Sequence, residues 1–395
     1  MPQVQSSREP LVAPSFALWE LGFRPFYLLA SIFAALSVAL WVMQYVGALG
    51  GRPYLSGPVW HAHEMLFGFT MAVIAGFLFT AVPNWTNRPT PVGGTLAAIA
   101  ALWVAGRVLV LTRYGWAAAI ANTAFPLAVA AGIGIPLAES GNRRNYFFVG
   151  LMVLMAAAVL AVHLAQLQVF RLADWLGIQI ALDVVLVLTT LMGGRVIPMF
   201  TNSGVPGTAA QRRPLLEQFA LGCVLVVLLA DAFQLKGIVL IVVLGVAAVA
   251  HALRLALWKP WKTLQVPLVW VLHAAYLWIP IHLALRALAE AGLVPPPLAT
   301  HALTIGAVGG LTIGMMTRTA RGHTGRPLKA DRIEITCYTL ILAAALTRVI
   351  LPLLAPATYL ISVAAAGLLW SAGYALYAIH YWPVLTRPRL DGRPG

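Results

Sequence analysis

Residues 60–89 read WHAHEMLFGFTMAVIAGFLFTAVPNWTNRP. No charged residue stands between Glu64 and Arg88, and that gap is longer than the about 20 apolar residues a helix needs to cross a 30 Å hydrocarbon core. Trp60 and Trp85 bracket the run as aromatic residues do at the two membrane interfaces. The stretch therefore reads as a transmembrane helix that begins on a cluster of ligand-type side chains.

Runs of the same kind lie on both sides of it. They fall at about 23–46, 62–84, 94–112, 115–138, 146–169, 176–200, 215–234, 237–257, 264–290, 299–319, 332–354 and 357–380. The composition is 61% hydrophobic and 10% charged, with mean hydropathy +0.85. Ordinary soluble domains carry about 25% charged residues, so a soluble globule is excluded. The expected fold is all-α: a polytopic membrane protein of twelve transmembrane helices, with an N-terminal tail at 1–22, one membrane domain over 23–381 and a C-terminal tail at 382–395.

The formal charge of +14 would suit a nucleic-acid binder, but its distribution says otherwise. Of the 26 Lys and Arg, only Arg52, Arg113, Arg171 and Lys236 fall on the connectors opposite the two termini. Arg143-Arg144, Arg212-Arg213 and the basic stretch from Arg318 to Arg332 share the termini's side. This is the positive-inside pattern, which predicts cytoplasmic termini and no nucleic-acid partner. No removable signal peptide is evident, and Cys223 and Cys337 fall inside spans without forming a CxxC motif. Phosphate-loop, HExxH and GxSxG motifs are also lacking.

The second span has a partial copy. At an offset of 238 residues, His63, Gly68, Gly76, Thr86, Arg88 and Pro89 coincide with His301, Gly306, Gly314, Thr324, Arg326 and Pro327. The sixth span shares the tail of the pattern at an offset of 115, with Ile178 at the histidine position. Spans two, six and ten are each four helices apart, which predicts three four-helix units in pseudo-threefold array. Symmetry then places His63 and His301 at one depth, as a pair fit to ligate one haem from opposite faces.

Of the nine histidines, His61, His63, His163, His282 and His301 fall in the outer part of their spans, and intramembrane ionisable groups usually face the bundle interior or a pathway. Helical geometry sets His61 and His63 about 200° apart, so they serve two sites. The expectation is His63 with His301 on haem, and His61 with His163 on a second haem or copper nearby. Glu64 is placed to orient an imidazole or take protons, and Met65 adds a thioether. His323 and His282 are weaker candidates. The competing reading is an interfacial Trp60 anchor, a helix-start Glu64 and interhelical hydrogen-bonded histidines.

Arg107, Arg286 and Arg348 also fall inside spans. Haem propionates would give them carboxylate partners; Asp183, Asp231 and Glu290 are the alternative partners.

Several segments together resemble the NnrS family: Phe23-Arg24-Pro25-Phe26, WHAHEM at 60–65, Gly76-Phe77-Leu78 with Ala81-Val82-Pro83-Asn84-Trp85-Thr86, Gly141-Asn142-Arg143-Arg144-Asn145, Gly193-Gly194-Arg195-Val196-Ile197-Pro198, His301-Ala302-Leu303-Thr304 and His323-Thr324-Gly325-Arg326-Pro327. The resemblance runs along nearly the whole chain. It implies a bacterial inner-membrane protein containing haem, expected to be of b type, and copper, acting in nitric oxide metabolism or nitrosative-stress protection by binding nitric oxide or by electron transfer with a redox partner. An oxidoreductase activity on nitric oxide is one form of that reading. The family's motif histidines correspond to His61, His63, His163, His301 and His323; His273 and His282 match no motif. The twelve-span plan also resembles the catalytic subunit of haem-copper oxidases. There the copper ligands come from spans six and seven, where this sequence has no histidine, so a binuclear centre of that design is not expected. A secondary transporter without metal is the alternative, since repeats and twelve spans suit it equally.

Overall fold

The computed structural model describes residues 16–50, 54–55, 57–169 and 175–393. Arg52 and Arg171, used in the charge count above, lie outside the described residues, as does most of the N-terminal tail. Each apolar run of the sequence is one helical span. In chain order they are α1 (Phe23–Tyr45), α2 (Gly57–Thr86), α3 (Gly93–Leu109), α4 (Gly115–Glu139), α5 (Arg143–Gln166) and α6 (Leu176–Gly204), followed by α7 (Pro214–Ala232), α8 (Ile238–Lys262), α9 (Pro267–Glu290), α10 (Pro296–His323), α11 (Arg332–Leu354) and α12 (Pro356–Thr386). Eleven are long and apolar enough to cross a membrane, and α3 is the shorter apolar one.

The contacts recur with a period of four helices. α4 packs along α5, α8 along α9 and α12 along α1, so each unit ends against the first helix of the next. α6 touches both α2 and α10, and these three surround an axial cavity of about 120 Å³. Tyr27 of α1, Phe148 of α5 and Leu272 of α9 close the gaps between them.

The repeat extends to local detail. Lipid is as apolar as leucine, so membrane helices associate by close packing through small residues. A Cβ at Gly76 would stand 2.9 Å from the Tyr27 ring, and one at Gly314 would stand 2.9 Å from Val271 and Leu272; the equivalent glycines thus seat α2 on α1 and α10 on α9. α2 ends at Asn87 with φ 52°, and the equivalent Gly325 has φ 72°. The Thr86, Thr201 and Thr324 hydroxyls each donate to a carbonyl four residues back. Most telling, both repeats carry a π-helical stretch immediately after the equivalent histidine, Glu64–Thr70 after His63 and Ala302–Gly309 after His301. Such stretches inside α-helices concentrate at functional sites.

Two boundaries differ from the sequence reading. Residues 17–22 are tied down rather than trailing: the Ala17 N–H donates to the Thr386 carbonyl at 2.9 Å, and the Gly93 N–H donates to the Trp19 carbonyl at 2.8 Å. α12 also runs on to Thr386, because Arg24 Nη1 caps it by donating to the carbonyls of Leu385 and Arg387 at 3.1 and 2.8 Å.

Candidate functional site

At the end of the bundle where α2 and α10 begin, each four-helix unit holds a polar centre. In the first unit, His63 Nε2 stands 3.2 Å from His163 Nε2. The Glu64 carboxylate accepts from His63 Nδ1 at 2.7 Å and from Arg107 Nη1 at 2.8 Å. Arg107 Nη2 donates to Asn122 Oδ1, and Asn122 Nδ2 donates to the Ala118 carbonyl at 2.8 Å. All five residues are buried. An ionised Glu64 fixes the Nδ1–H tautomer of His63, which turns its Nε2 lone pair toward His163. Two nitrogen ligands of a tetrahedral ion stand roughly 3.3 Å apart, so the pair has the spacing of a metal site with a carboxylate behind one ligand. Tyr54 lies parallel to the His163 ring at 5.9 Å, and burial pushes its phenol up to about 12, so it stays a donor to the His163 carbonyl.

The third unit opens into a cavity of about 550 Å³ walled by α1, α2, α6, α10, α11 and α12, within the about 300–1,000 Å³ range of small-molecule and cofactor sites. His61 and His301 both line it. Their rings are 6.5 Å apart between centroids and inclined by only 13°. His301 Nδ1 donates to the Pro297 carbonyl at 2.6 Å, whereas His61 Nδ1 is buried without a partner. The His61 ring instead stacks on Trp41 at 5.0 Å and 11°. Arg348, also on the wall, donates from Nη2 to the Tyr359 hydroxyl at 2.8 Å, and its buried Nη1 has no hydrogen-bond partner. Met65, Phe69, Val363 and Trp370 are among the apolar side chains that complete the lining.

The third polar centre, built around α6, holds no histidine among the described residues. Gln179, on the cavity wall, donates to Asp183 Oδ1 and Asp231 Oδ2 at 3.2 Å each. Arg286 completes this centre with ion pairs to Asp183 at 3.5 Å and to Asp231.

The structure regroups the histidines. His63 meets His163, and His301 meets His61; among the described residues no hydrogen bond or ring contact joins His63 to His301, or His61 to His163. Rotation about a common axis makes two helices equivalent, but it turns equivalent side chains into separate units instead of toward each other. His63 therefore enters the slot formed with α3, α4 and α5, while His301 enters the matching slot beside α11, α12 and α1. His61 and His63 do point to different places, His61 into the cavity with His301 and His63 into the slot with His163.

Of the three arginines, only Arg348 faces the cavity. Arg107 and Arg286 already hold carboxylates, Glu64 for one and Asp183 with Asp231 for the other, which leaves neither free for a propionate. Glu64 belongs to the His63 centre and Met65 to the cavity. His282 Nδ1 donates to the Ala299 carbonyl at 2.8 Å, and His273 Nε2 pairs with Thr201 Oγ1 at 2.8 Å; both are interhelical ties. His323 sits at the far end of α10 beside Phe23, 5.7 Å between ring centres, roughly 33 Å from His301 at 1.5 Å per residue. Trp41, Asn122 and Tyr359 were not anticipated. Only Asn122 left a trace in the sequence, as an amide in the middle of an apolar run.

A family model described as NnrS protein matches residues 17–389. The chain belongs to the NnrS family. The NnrS match covers all twelve helices and all three polar centres. A comparison with the curated proteins gives no match.

Proposed function

We propose that this NnrS chain is a haem protein of the bacterial inner membrane that acts in nitric oxide metabolism or nitrosative-stress protection, with haem held in the 550 Å³ cavity between His61 and His301. Family membership and the membrane-helical architecture fit a membrane protein in nitric oxide-related function. The observation that carries the haem reading is the spacing of the two imidazoles. With metal–nitrogen bonds of about 2 Å on each side, two imidazoles that would hold one metal between them would have centroids about 6 Å apart; His61 and His301 are near-parallel at 6.5 Å. Arg348 Nη1 is the unpaired buried donor that a propionate would satisfy. Cys223 and Cys337 are free and buried, and no CxxCH motif is present, so attachment would be non-covalent, as for a b-type haem.

A haem held there supplies one-electron chemistry and an iron that nitric oxide binds. This chain's own residues divide the work around it. Pro297 fixes the orientation of His301, while His61 Nδ1 has no hydrogen bond and its ring stacks on Trp41; His61 would thus be the more easily displaced of the two. His63 and His163, backed by Glu64 and Arg107, are the residues for copper. The positive-inside bias supports cytoplasmic termini, which would set both centres toward the outer face, on the side open to a redox partner.

The test is spectroscopy of the purified protein, oxidised, reduced and with nitric oxide, together with metal analysis. A six-coordinate low-spin haem spectrum lost in His61→Ala and His301→Ala, but kept in His63→Ala, is the expected result. A colourless protein with coupled solute flux would instead establish the transporter reading, which the interruption of α9 at Leu277 favours.

A further inference from the structure

The axial cavity takes no part in the site described above, yet it is built with the same symmetry. Ile74, Thr189 and Thr312 occupy one register position on α2, α6 and α10, and all three line it. Its wall hydroxyls are already committed: Thr70 donates to the Met65 carbonyl at 2.8 Å, Thr189 to the Val185 carbonyl at 2.8 Å and Thr312 to the Gly309 carbonyl at 3.0 Å. Tyr27 has a hydroxyl without a hydrogen bond, but an ordered water needs two to four polar partners. The space therefore favours apolar occupants over water. Its volume of about 120 Å³ is close to that of engineered apolar cavities of about 150 Å³, which stay dry and take up xenon.

Two residues, Thr70 and Val308, line both this cavity and the larger one that holds His61 and His301. Their side chains border both the apolar cavity on the axis and the proposed haem pocket. We propose that the axial cavity binds small uncharged diatomic gases and passes them across Thr70 and Val308 to the outer cavity. Its gas-binding part stands on the cavity alone; its destination rests on the haem reading.

The first experiment is structure determination of the full chain under xenon, which needs no haem. Xenon among Val185, Leu188, Leu311 and Met315 is expected; ordered water or an acyl chain in that place overturns the proposal. The second is carbon monoxide rebinding after flash photolysis in the haem-loaded protein, comparing wild type with Leu188→Trp, which fills the axial cavity without touching the outer one. Bimolecular rebinding should slow severalfold with the absorption spectrum unchanged; unchanged rebinding with xenon displaced overturns the delivery route. If Leu188→Trp fails to fold, xenon occupancy in wild type decides alone. Xenon bound in a protein that never takes haem would sink the haem reading and leave the cavity assignment standing.

Discussion

Nε2 of His63 and Nε2 of His163 face each other across 3.2 Å in a dry interior, and the two rings are held unequally. His63 is locked by Glu64, while His163 Nδ1 has no partner at all. A buried lone pair directed at a second imidazole is a costly arrangement unless a proton or a metal ion lies between them.

The copper proposed for that pair can be tested. His63→Ala or His163→Ala should lose the bound copper measured by elemental analysis while keeping the haem spectrum. Glu64→Gln keeps the ligands but weakens their orientation, and should reduce copper affinity by about 10–100-fold in chelator competition. Loss of the haem spectrum in His163→Ala would show that the pair serves haem instead.

The two cavity histidines should behave differently. His61→Ala is expected to give a five-coordinate haem that still binds, because Pro297 continues to orient His301. His301→Ala should retain less haem than His61→Ala. The electron paramagnetic resonance spectrum of the nitric oxide adduct should be the same for wild type and His61→Ala; a difference means His61 stays bound when nitric oxide enters.

Arg286→Ala leaves the buried Asp183 and Asp231 without their cation. Breaking a buried pair from one side costs about 3–5 kcal/mol, so thermal unfolding in detergent should fall clearly. Arg286→Ala combined with Asp231→Asn should recover part of the loss. An unaltered melting temperature in the single variant would mean that water already reaches these carboxylates.

The glycine seats predict stability as well. Gly314→Leu must push Val271 and Leu272 aside, an overpacking cost of about 1–3 kcal/mol, whereas the same change at the half-buried but uncrowded Gly222 should be close to neutral.

The helices were legible because lipid demands long uncharged runs, and every run became one helix, even the short α3. The repeat was legible from six matched positions, since glycine seats and cap residues must recur where helices recur. The pairing of histidines was not. Register along a helix gives depth, but the direction of His63 toward α5 and of His301 toward α1 depends on how four-helix units are wound around the axis, and no spacing in the chain encodes that. The partner of Arg107 was hidden for the same reason, since Glu64 comes from a helix whose neighbours only the packed bundle defines; Asp183 and Asp231, which hold Arg286, stood among the carboxylates the sequence offered.

The π-helical stretches after His63 and His301 act as rotational adjusters. Each holds one residue more than an α-helix of equal rise would, so the segment carrying the imidazoles is turned independently of the segment that carries Gly76 or Gly314. Removing one residue from 64–70 would restore an ordinary helix, leave the glycine seat where it is, and swing His61 and His63 together by about 100°. The His63–His163 and His61–His301 pairings would both be lost at once while the bundle stayed assembled. The histidine azimuth is thus a separate setting from the fold, written in one surplus residue per repeat.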